Sequence, residues 1–405
     1  MGRPLGRPRR FGVVTRVLAA ALGAVLALGG MLAMQMPLRG EAASATLSLS
    51  RLGSTQVSGG VAWPRVGSAA LYIPSLGVSE SVHNAVVPIA SLTKMMTAFV
   101  VLEKLPLAIG ETGPCVTVTP SDYATYEYMK STDQSNVPVV VGESLCEFQL
   151  LDGLLVHSAD NYAAMLADLV SGSQTDFVAL MNETARVLGL RQTTYADASG
   201  YDPASVSSAL DQARLADVLM QLPVARAIVD QASIVLPVGG VEPSYTPYVG
   251  TNNVIGVKSG RTSEAGGCDV MAMTFPRGAT SDVLYAVVLG QRGGDLLGPA
   301  GDAALALARS ALAHVQHVRL ARGQVVGSVG WPNSRTPIVL GAPAEFWWWG
   351  RSSRVPLHIS LRRVSGAITR GERVGTLDVA GPVRGSYALI ARHRAAPPTL
   401  WQRLR

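Results

Sequence analysis

Hydrophobic and polar positions divide the chain into stretches of different character. An apolar run without charge comes first, at 17–34, and residues 40–61, rich in Ser, Gly, Ala and Thr, predict a linker. Between 62 and 316, apolar residues recur at both helical and strand-like spacing, which indicates a mixed α/β or α+β domain. From 317 to 392, short alternating segments between Gly and Pro predict a small all-β domain, and residues 393–405 form a basic tail.

The spacing also predicts individual elements. Apolar residues at helical spacing predict helices over 91–105, 147–156, 162–170, 176–188, 210–222 and 303–315. Alternating or continuous apolar runs predict strands over 69–74, 116–119, 137–141, 254–257 and 283–289, and further along over 325–327, 338–340, 357–361 and 374–379. The aromatic run 346–349 is expected in a core, although an exposed cluster would suit a lipid interface or a partner.

The first 39 residues have the pattern of an exported protein. Positive charge precedes an apolar run of about 18 residues, and no such cluster follows it directly, which places the N-terminus in the cytoplasm. Residues 43–45, Ala-Ser-Ala, resemble a cleavage site, so a membrane anchor and a removable signal peptide both fit. We expect the rest of the chain on the outer face of a membrane or secreted.

The formal net charge of +6 is unevenly distributed. A basic leader precedes an acidic middle, and residues 317–405 carry 14 arginines against three acidic residues. A basic segment of this kind suits binding to an anionic surface, which can be nucleic acid, lipid or an anionic wall polymer. The alternative is that residues 317–405 simply have a solvated, arginine-rich surface. Export argues against nucleic acid, and the N-terminal segment makes the membrane the expected partner.

Cysteine and histidine usage narrows the chemistry. The three cysteines allow one disulfide at most, and Cys115 with Cys146 is the pairing to test, against the alternative of three buried thiols. The six histidines form no convincing ligand pair with a carboxylate nearby in sequence. The sequence therefore predicts no metal and no other cofactor.

Lysine is rare in this chain, and two lysines lie in serine-containing motifs. Only four of the 34 basic residues are Lys, and Lys94 follows Ser91 by three positions at the start of a predicted helix. Arg stays protonated, whereas a buried Lys can become a neutral amine, which is what a base for a serine nucleophile requires. Lys258 is the second lysine whose charge would keep Lys94 neutral. The helix N-terminus would stabilise an alkoxide or oxyanion at Ser91.

A second motif lies between two predicted helices. Ser158 can project into a cleft there and relay a proton between the base and a leaving amine. Asp160 and Asn161 follow it, and an amide at this place would fix a substrate carbonyl or the Lys94 amine.

The third motif, Lys258-Ser259-Gly260, is predicted at the end of a strand. Its ammonium and hydroxyl groups suit a substrate carboxylate, and the glycine allows close approach of the substrate backbone. The backbone N–H groups of Arg261 and Ser91 could form an oxyanion hole. The Arg261 side chain is a possible additional cation for the carboxylate.

Together the three motifs resemble those of penicillin-binding proteins of the D-alanyl-D-alanine carboxypeptidase family, which carry Ser-x-x-Lys, Ser-x-Asn and Lys-Thr-Gly in this order. Residues 88–98, 195–200 and 256–260 are similar as well, and the resemblance covers about 62–390. It implies a penicillin-binding/β-lactamase-like transpeptidase domain, with an antiparallel sheet flanked by helices, followed by a β domain. It also implies an acyl-Ser91 intermediate, peptidoglycan stem peptides as substrates and β-lactams as covalent inhibitors.

Two departures from the family pattern leave alternatives open. Ser259 replaces Thr and keeps the hydroxyl, but Asp160 stands where the family has Asn, and a carboxylate beside Lys94 would weaken it as a base. Either Asn161 supplies the amide after a one-residue shift, or Asp160 acts differently. A serine carboxypeptidase, with endopeptidase action not excluded, is the main hypothesis. A poorly active wall-peptide binding protein and a β-lactamase are the alternatives, the last without a convincing Glu-x-x-x-Asn loop.

Overall fold

A computed structural model describes residues 20–26, 28, 31, 60–331, 334–350, 357–362, 367–379 and 385–396. The described residues within Thr55–His317 and Trp347–Ser353 form one compact unit, and those within Val318–Phe346 and Arg354–Arg405 form another. Residues 20–26, 28 and 31 are helical and exposed. In the described part of the chain, no helix combines the length and apolar character needed to cross a membrane. Most of the predicted leader and linker lies outside the described residues.

The first unit is built on an antiparallel five-stranded sheet. The strand order is β2-β1-β11-β10-β9, so neighbours in the sheet come from both ends of the unit. Short two-stranded ladders join β3 with β6, β4 with β5, and β7 with β8. The strands are β1 Ser68–Ile73, β2 Val78–Val82, β3 Val87–Pro88, β4 Cys115–Thr117, β5 Ser144–Cys146, β6 Val206–Ser207, β7 Ser233–Leu236, β8 Gly240–Pro243, β9 Val254–Thr262, β10 Gly266–Arg277 and β11 Thr280–Gln291.

Helices cover this sheet and enclose a large apolar core. Helix α8 packs on β10 and β11, and α6 packs on β1 and β11. Buried side chains of α1, α3 and α4 form one continuous core with inward residues of the sheet such as Val270 and Ala272. The helices are α1 Lys94–Lys104, α2 Pro120–Ser131, α3 Glu147–Leu155, α4 Asp160–Ser171, α5 Gln174–Val187, α6 Ala209–Met220, α7 Pro223–Val229 and α8 Leu297–Leu312.

The second unit is an all-β fold with its own core. Five strands form an antiparallel sheet in the order β13-β14-β18-β17-β16, and β12 pairs with β15. Its core contains Phe346, whereas Trp347 and Trp348 of the aromatic run are half-buried. The strands are β12 Val315–Leu320, β13 Val325–Trp331, β14 Ser334–Leu340, β15 Ala344–Trp349, β16 Leu357–Leu361, β17 Arg373–Val379 and β18 Gly385–Ala391.

The expected fold class is confirmed: an antiparallel sheet flanked by helices is followed by an all-β unit. The domain boundaries read from the sequence stay a prediction. Helical spacing located the helices that begin at Glu147, Asp160 and Gln174 within a few residues, because each has a buried apolar face. The structure joins Cys115 and Cys146 in a disulfide, the first of the two alternatives, and leaves Cys268 as a buried thiol.

Two predictions about elements are wrong, and two elements were missed. Residues 137–141 form no strand, because the side chain of Asn161 takes both backbone hydrogen bonds of Val137. Strand β9 does not end at Lys258 but continues to Thr262, where β10 pairs with it through Gly266. Helix α2 and strand β10 were not predicted at all, since α2 is mostly polar and exposed and β10 is apolar on both faces.

Candidate active site

Ser91 and Lys94 lie where a 3₁₀ turn, Ala90–Thr93, leads into α1. The three-residue spacing brings the two side chains together, and Lys94 Nζ donates a hydrogen bond of 2.9 Å to Ser91 Oγ. Lys94 is fully buried, whereas Ser91 is half-buried and lines a pocket. An amine thus stands beside a hydroxyl group that faces a cavity, which is the geometry of a base and its nucleophile.

Three oxygen atoms surround the Lys94 amine, one for each proton of an ammonium group. Besides Ser91, Lys94 Nζ donates to Ser199 O at 2.8 Å and contacts Asp160 Oδ1 at 2.5 Å. To accept the proton of Ser91, the Lys94 amine must first give up one of its own.

The carbonyl of Ser199 is a contact that the sequence did not reveal. The Asp197 carboxylate fixes the turn around it by accepting hydrogen bonds from Ser199 Oγ, Gly200 N and Tyr201 N. Gly200 has a φ of 84°, and a side chain there would collide with Ala90 O. The run Asp-Ala-Ser-Gly at 197–200 was the sequence feature that could have indicated this contact. In the sequence analysis it served only as part of the resemblance to a family.

Asp160, not Asn161, contacts the lysine. The Asn161 amide is buried and occupied by backbone, because Nδ2 donates to Val137 O at 2.9 Å and Oδ1 accepts from Val137 N at 3.1 Å. Burial raises the pKa of the Asp160 carboxyl, and the positive charge of Lys94 opposes this shift. Of the two alternatives read from the sequence, the geometry therefore brings Asp160 into the site.

Lys258 contributes a second buried amine. Its Nζ donates to Ser259 O at 2.9 Å, and the side chain is fully buried. Burial, followed by the positive charge of Lys94, lowers the pKa of Lys258 well below its usual value, while the carboxyls of Asp160 and Asp269 act in the opposite direction. The positive charge of Lys94 thus acts on Lys258, and the effect that the sequence predicts of Lys258 on Lys94 stays a prediction.

Strand β9 forms one wall of the pocket through Ser259, Gly260 and Arg261. A Cβ atom on Gly260 would lie 2.6 Å from Ser91 N, so the glycine lets the strand pack against the turn Ala90–Thr93. The approach of a substrate backbone at Gly260 stays a prediction. Ser259 Oγ donates to Tyr245 O at 2.7 Å, and the exposed Arg261 side chain donates to Asp295 O at 3.3 Å.

Ser158 faces the same pocket, whose volume is about 280 Å³. Its φ of 68° is unusual for a residue other than glycine, and such conformations concentrate at functional sites. The pocket brings Ser91, Ser158, Ser259, Gly260 and Arg261 together, while Lys94, Lys258 and Asp160 are buried close to Ser91. Its other lining residues are Asp133, Gln134, Ser135, Asn136, Tyr245 and Leu297.

Tyr245 and residues 133–136 are pocket features that sequence reasoning missed. The His157 ring packs against the Tyr245 ring in a tilted arrangement, with 4.3 Å between ring centroids, and its Nδ1 is hydrogen-bonded to Pro243 O at 3.0 Å, so His157 supports the wall. Tyr245 N also donates to Val156 O. No spacing signal marks these residues, because each reaches the pocket through contacts that are distant in sequence.

Residues 78–293 match the model of the D-alanyl-D-alanine carboxypeptidase family. The chain is 34% identical over 212 residues to a D-alanyl-D-alanine endopeptidase of Pseudomonas aeruginosa, which covers 48% of this chain and 62% of the relative. It is 28% identical over 312 residues to the D-alanyl-D-alanine carboxypeptidase DacD of Escherichia coli, which covers 72% of this chain and 75% of the relative. Across the first three relatives, the alignment spans only 42 to 62% of the relative's length.

Solved structures show the same fold. Penicillin binding protein 5 from Haemophilus influenzae superposes with a TM-score of 0.59 at 22% identity, covering 83% of this chain and all of that one. The Streptomyces K15 DD-transpeptidase gives 0.53 at 22% identity and covers 61% of this chain and 98% of its own. The family match extends over more than half of the chain and includes all three motifs. The chain belongs to the D-alanyl-D-alanine carboxypeptidase family.

Proposed function

We propose that this protein is a serine D-alanyl-D-alanine carboxypeptidase that removes the terminal D-Ala from peptidoglycan stem peptides. The observation that carries the proposal is the 2.9 Å contact between Ser91 Oγ and Lys94 Nζ at the wall of a pocket that Ser158 and Ser259 also line. Membership of the family supports the same chemistry.

Acylation begins with attack of Ser91 Oγ on the carbonyl carbon of the penultimate D-Ala. The neutral Lys94 amine takes the Ser91 proton, and the backbone N–H groups of Ser91 and Arg261 stabilise the oxyanion. The C–N bond then breaks, and the proton passes through Ser158 to the nitrogen of the leaving D-Ala. The product is an ester between Ser91 and the shortened peptide.

Deacylation uses water as the second nucleophile. Lys94 takes a proton from the water, the ester bond breaks, and Ser91 recovers its proton. In the acylation step the substrate is held by its C-terminal carboxylate, for which Lys258, Ser259 and Arg261 are the proposed binding groups. Asp160 takes the place of the family's Asn, and Asn161 acts by positioning residues around Val137.

The proposed location is the outer face of a bacterial cell membrane, through the N-terminal segment, or the exterior after signal cleavage. A disulfide between Cys115 and Cys146 is consistent with an oxidising compartment. Stem peptides and β-lactams are the proposed small-molecule partners. Cleavage of cross-linked peptides is a related activity of the same site, since relatives named as endopeptidases share the family.

The contact between Lys94 and Asp160 favours a second candidate, a wall-peptide binding protein with slow turnover. A carboxylate 2.5 Å from the base stabilises its charged form. The test is to incubate the purified chain with Nα,Nε-diacetyl-L-Lys-D-Ala-D-Ala and measure free D-Ala, while a fluorescent penicillin reports acylation by intact mass. D-Ala release with a long-lived label supports the carboxypeptidase. A rapidly lost label would indicate a β-lactamase, and a folded protein without label would indicate the binding role.

Replacing Asp160 by Asn is expected to increase acylation. The substitution removes the carboxylate that contacts Lys94 Nζ at 2.5 Å, and with it the ion pair that opposes the transfer of the Ser91 proton to the amine. The second-order acylation rate at pH 7 should rise by about tenfold for each ~1.4 kcal/mol that this ion pair contributed. Stopped-flow acylation from pH 5 to 9 measures it, and Asp168→Asn on the exposed side of α4 is the control. A folded Asp160→Asn protein with slower acylation would show that Asp160 assists the base.

A further inference from the structure

The pocket carries an acidic residue that the proposed chemistry does not use. Asp133 is exposed and lines the pocket together with Ser91 and Arg261. In the part of the chain that the structure describes, the Asp133 carboxylate makes no hydrogen bond or ion pair with another side chain. The pocket thus holds a free anion as well as the cation of Arg261.

The segment that carries Asp133 is fixed to the catalytic framework. Asp160 N donates to Ser135 O at 2.7 Å, and the Asn161 side chain holds both backbone groups of Val137. Asp133 itself has a left-handed φ of 56°, a conformation that Asp and Asn tolerate better than most residues. Asp160 and Asn161 therefore hold the backbone of residues 133–137 in place. This backbone positions the Asp133 carboxylate at the pocket.

We propose that Asp133 binds a side-chain ammonium group in the part of the wall peptide that precedes the scissile bond. The inference rests on the proposed function and specifies its substrate: a peptide with a free diamino-acid side chain and a D-Ala-D-Ala end. The terminal carboxylate of such a peptide is assigned to Lys258, Ser259 and Arg261. The side-chain ammonium is a further charge of the substrate, and Asp133 is the carboxylate among the residues that line the pocket.

This assignment has a consequence for substrate choice. Acylation of the side-chain amine, as in a cross-linked peptide, removes its positive charge and with it the attraction to Asp133. The enzyme therefore selects peptides whose side chain is free. Because Asp133 is solvent-exposed, the preference is expected to be about two- to fivefold in kcat/KM and to decrease as salt concentration rises.

The experiment compares two peptides that differ only at the side-chain amine, Nα-acetyl-L-Lys-D-Ala-D-Ala and Nα,Nε-diacetyl-L-Lys-D-Ala-D-Ala. D-Ala release is measured with the full chain, with Asp133→Asn and with Glu183→Gln, at low and high NaCl. Asn keeps the size and the left-handed conformation while removing the charge. Glu183 is an exposed acid on α5 that does not line the pocket, so its variant controls for net charge.

The expected result is a preference for the free amine in the wild type and in Glu183→Gln, and no preference in Asp133→Asn. Turnover of the diacetylated peptide should be the same in all three proteins. Equal rates on both peptides in the wild type, or a preference that survives Asp133→Asn, would overturn the subsite while leaving the carboxypeptidase intact. If neither peptide is cleaved, the proposed function fails and the subsite falls with it.

Discussion

Ser91→Ala is expected to abolish covalent labelling by penicillin and to reduce D-Ala release to background. Ser91 Oγ is the nucleophile of the proposed mechanism, and alanine has no atom that can form the ester. The expected loss in turnover exceeds about a thousandfold, because removing one essential residue of a catalytic set lowers the rate nearly as much as removing all of its residues. Intact mass after incubation with excess penicillin measures labelling, and release of D-Ala measures turnover.

The fold of this variant should be preserved. Ser91 is half-buried, and the hydrogen bond that the substitution removes is the one that its Oγ accepts from Lys94, so the free energy of unfolding should fall by no more than about 1 kcal/mol. Ser158→Ala is the matched control, because Ser158 lines the same pocket but is a proton relay, not the nucleophile, in the proposed mechanism. That protein should still be labelled at Ser91, only more slowly. Labelling of Ser91→Ala, or loss of all labelling in Ser158→Ala alone, would reassign the nucleophile.

The part of the site that could be predicted from the sequence is the part set by local spacing. Ser91 and Lys94 are three residues apart at the start of a helix, which is enough to place them in contact. The preference for Arg elsewhere in the chain singled out Lys258 as well, and that side chain is indeed fully buried. In each case, sequence neighbours or a bias in composition carried the information.

The remainder depends on contacts between distant segments. The Ser199 carbonyl accepts a hydrogen bond from Lys94, which lies 105 residues earlier in the chain. The Tyr245 carbonyl accepts a hydrogen bond from the hydroxyl group of Ser259 on β9. Which of Asp160 and Asn161 contacts Lys94 depends on how α4 begins. The Asn161 side chain is hydrogen-bonded to the backbone of Val137, and Asp160 is the residue that contacts Lys94. No periodicity along the chain records these pairings, because each requires the tertiary fold.

Buried charge around Ser91 connects these contacts to activity. Lys94, Lys258, Asp160 and Asp269 are all nearly inaccessible to solvent. Burial raises the pKa of Asp269 well above its usual value, and Lys258 opposes that change. Two amines and two carboxyls in so small a volume make the protonation of each depend on the others. Substitutions that change charge here should therefore act on the pH profile as well as on the rate.

Lys94→Arg is the sharpest test of the base, because it keeps the positive charge and removes the ability to lose it. A guanidinium group stays protonated at every pH a protein tolerates, so it cannot accept the Ser91 proton. General-base catalysis contributes about 10²- to 10⁴-fold, and the second-order acylation rate should fall by that factor. Raising the pH should not restore it, because the guanidinium group stays protonated.

The control is Lys104→Arg, the same substitution at an exposed lysine at the other end of α1, which should acylate like the wild type. Circular dichroism and thermal unfolding check that Lys94→Arg is folded, since the longer side chain must fit a fully buried site beside Asp160 and Ser199. If it is not, Lys94→Met provides a neutral side chain of similar length. A folded variant of either kind that acylates at the wild-type rate would remove Lys94 from the mechanism and leave Ser91 to be activated by another group.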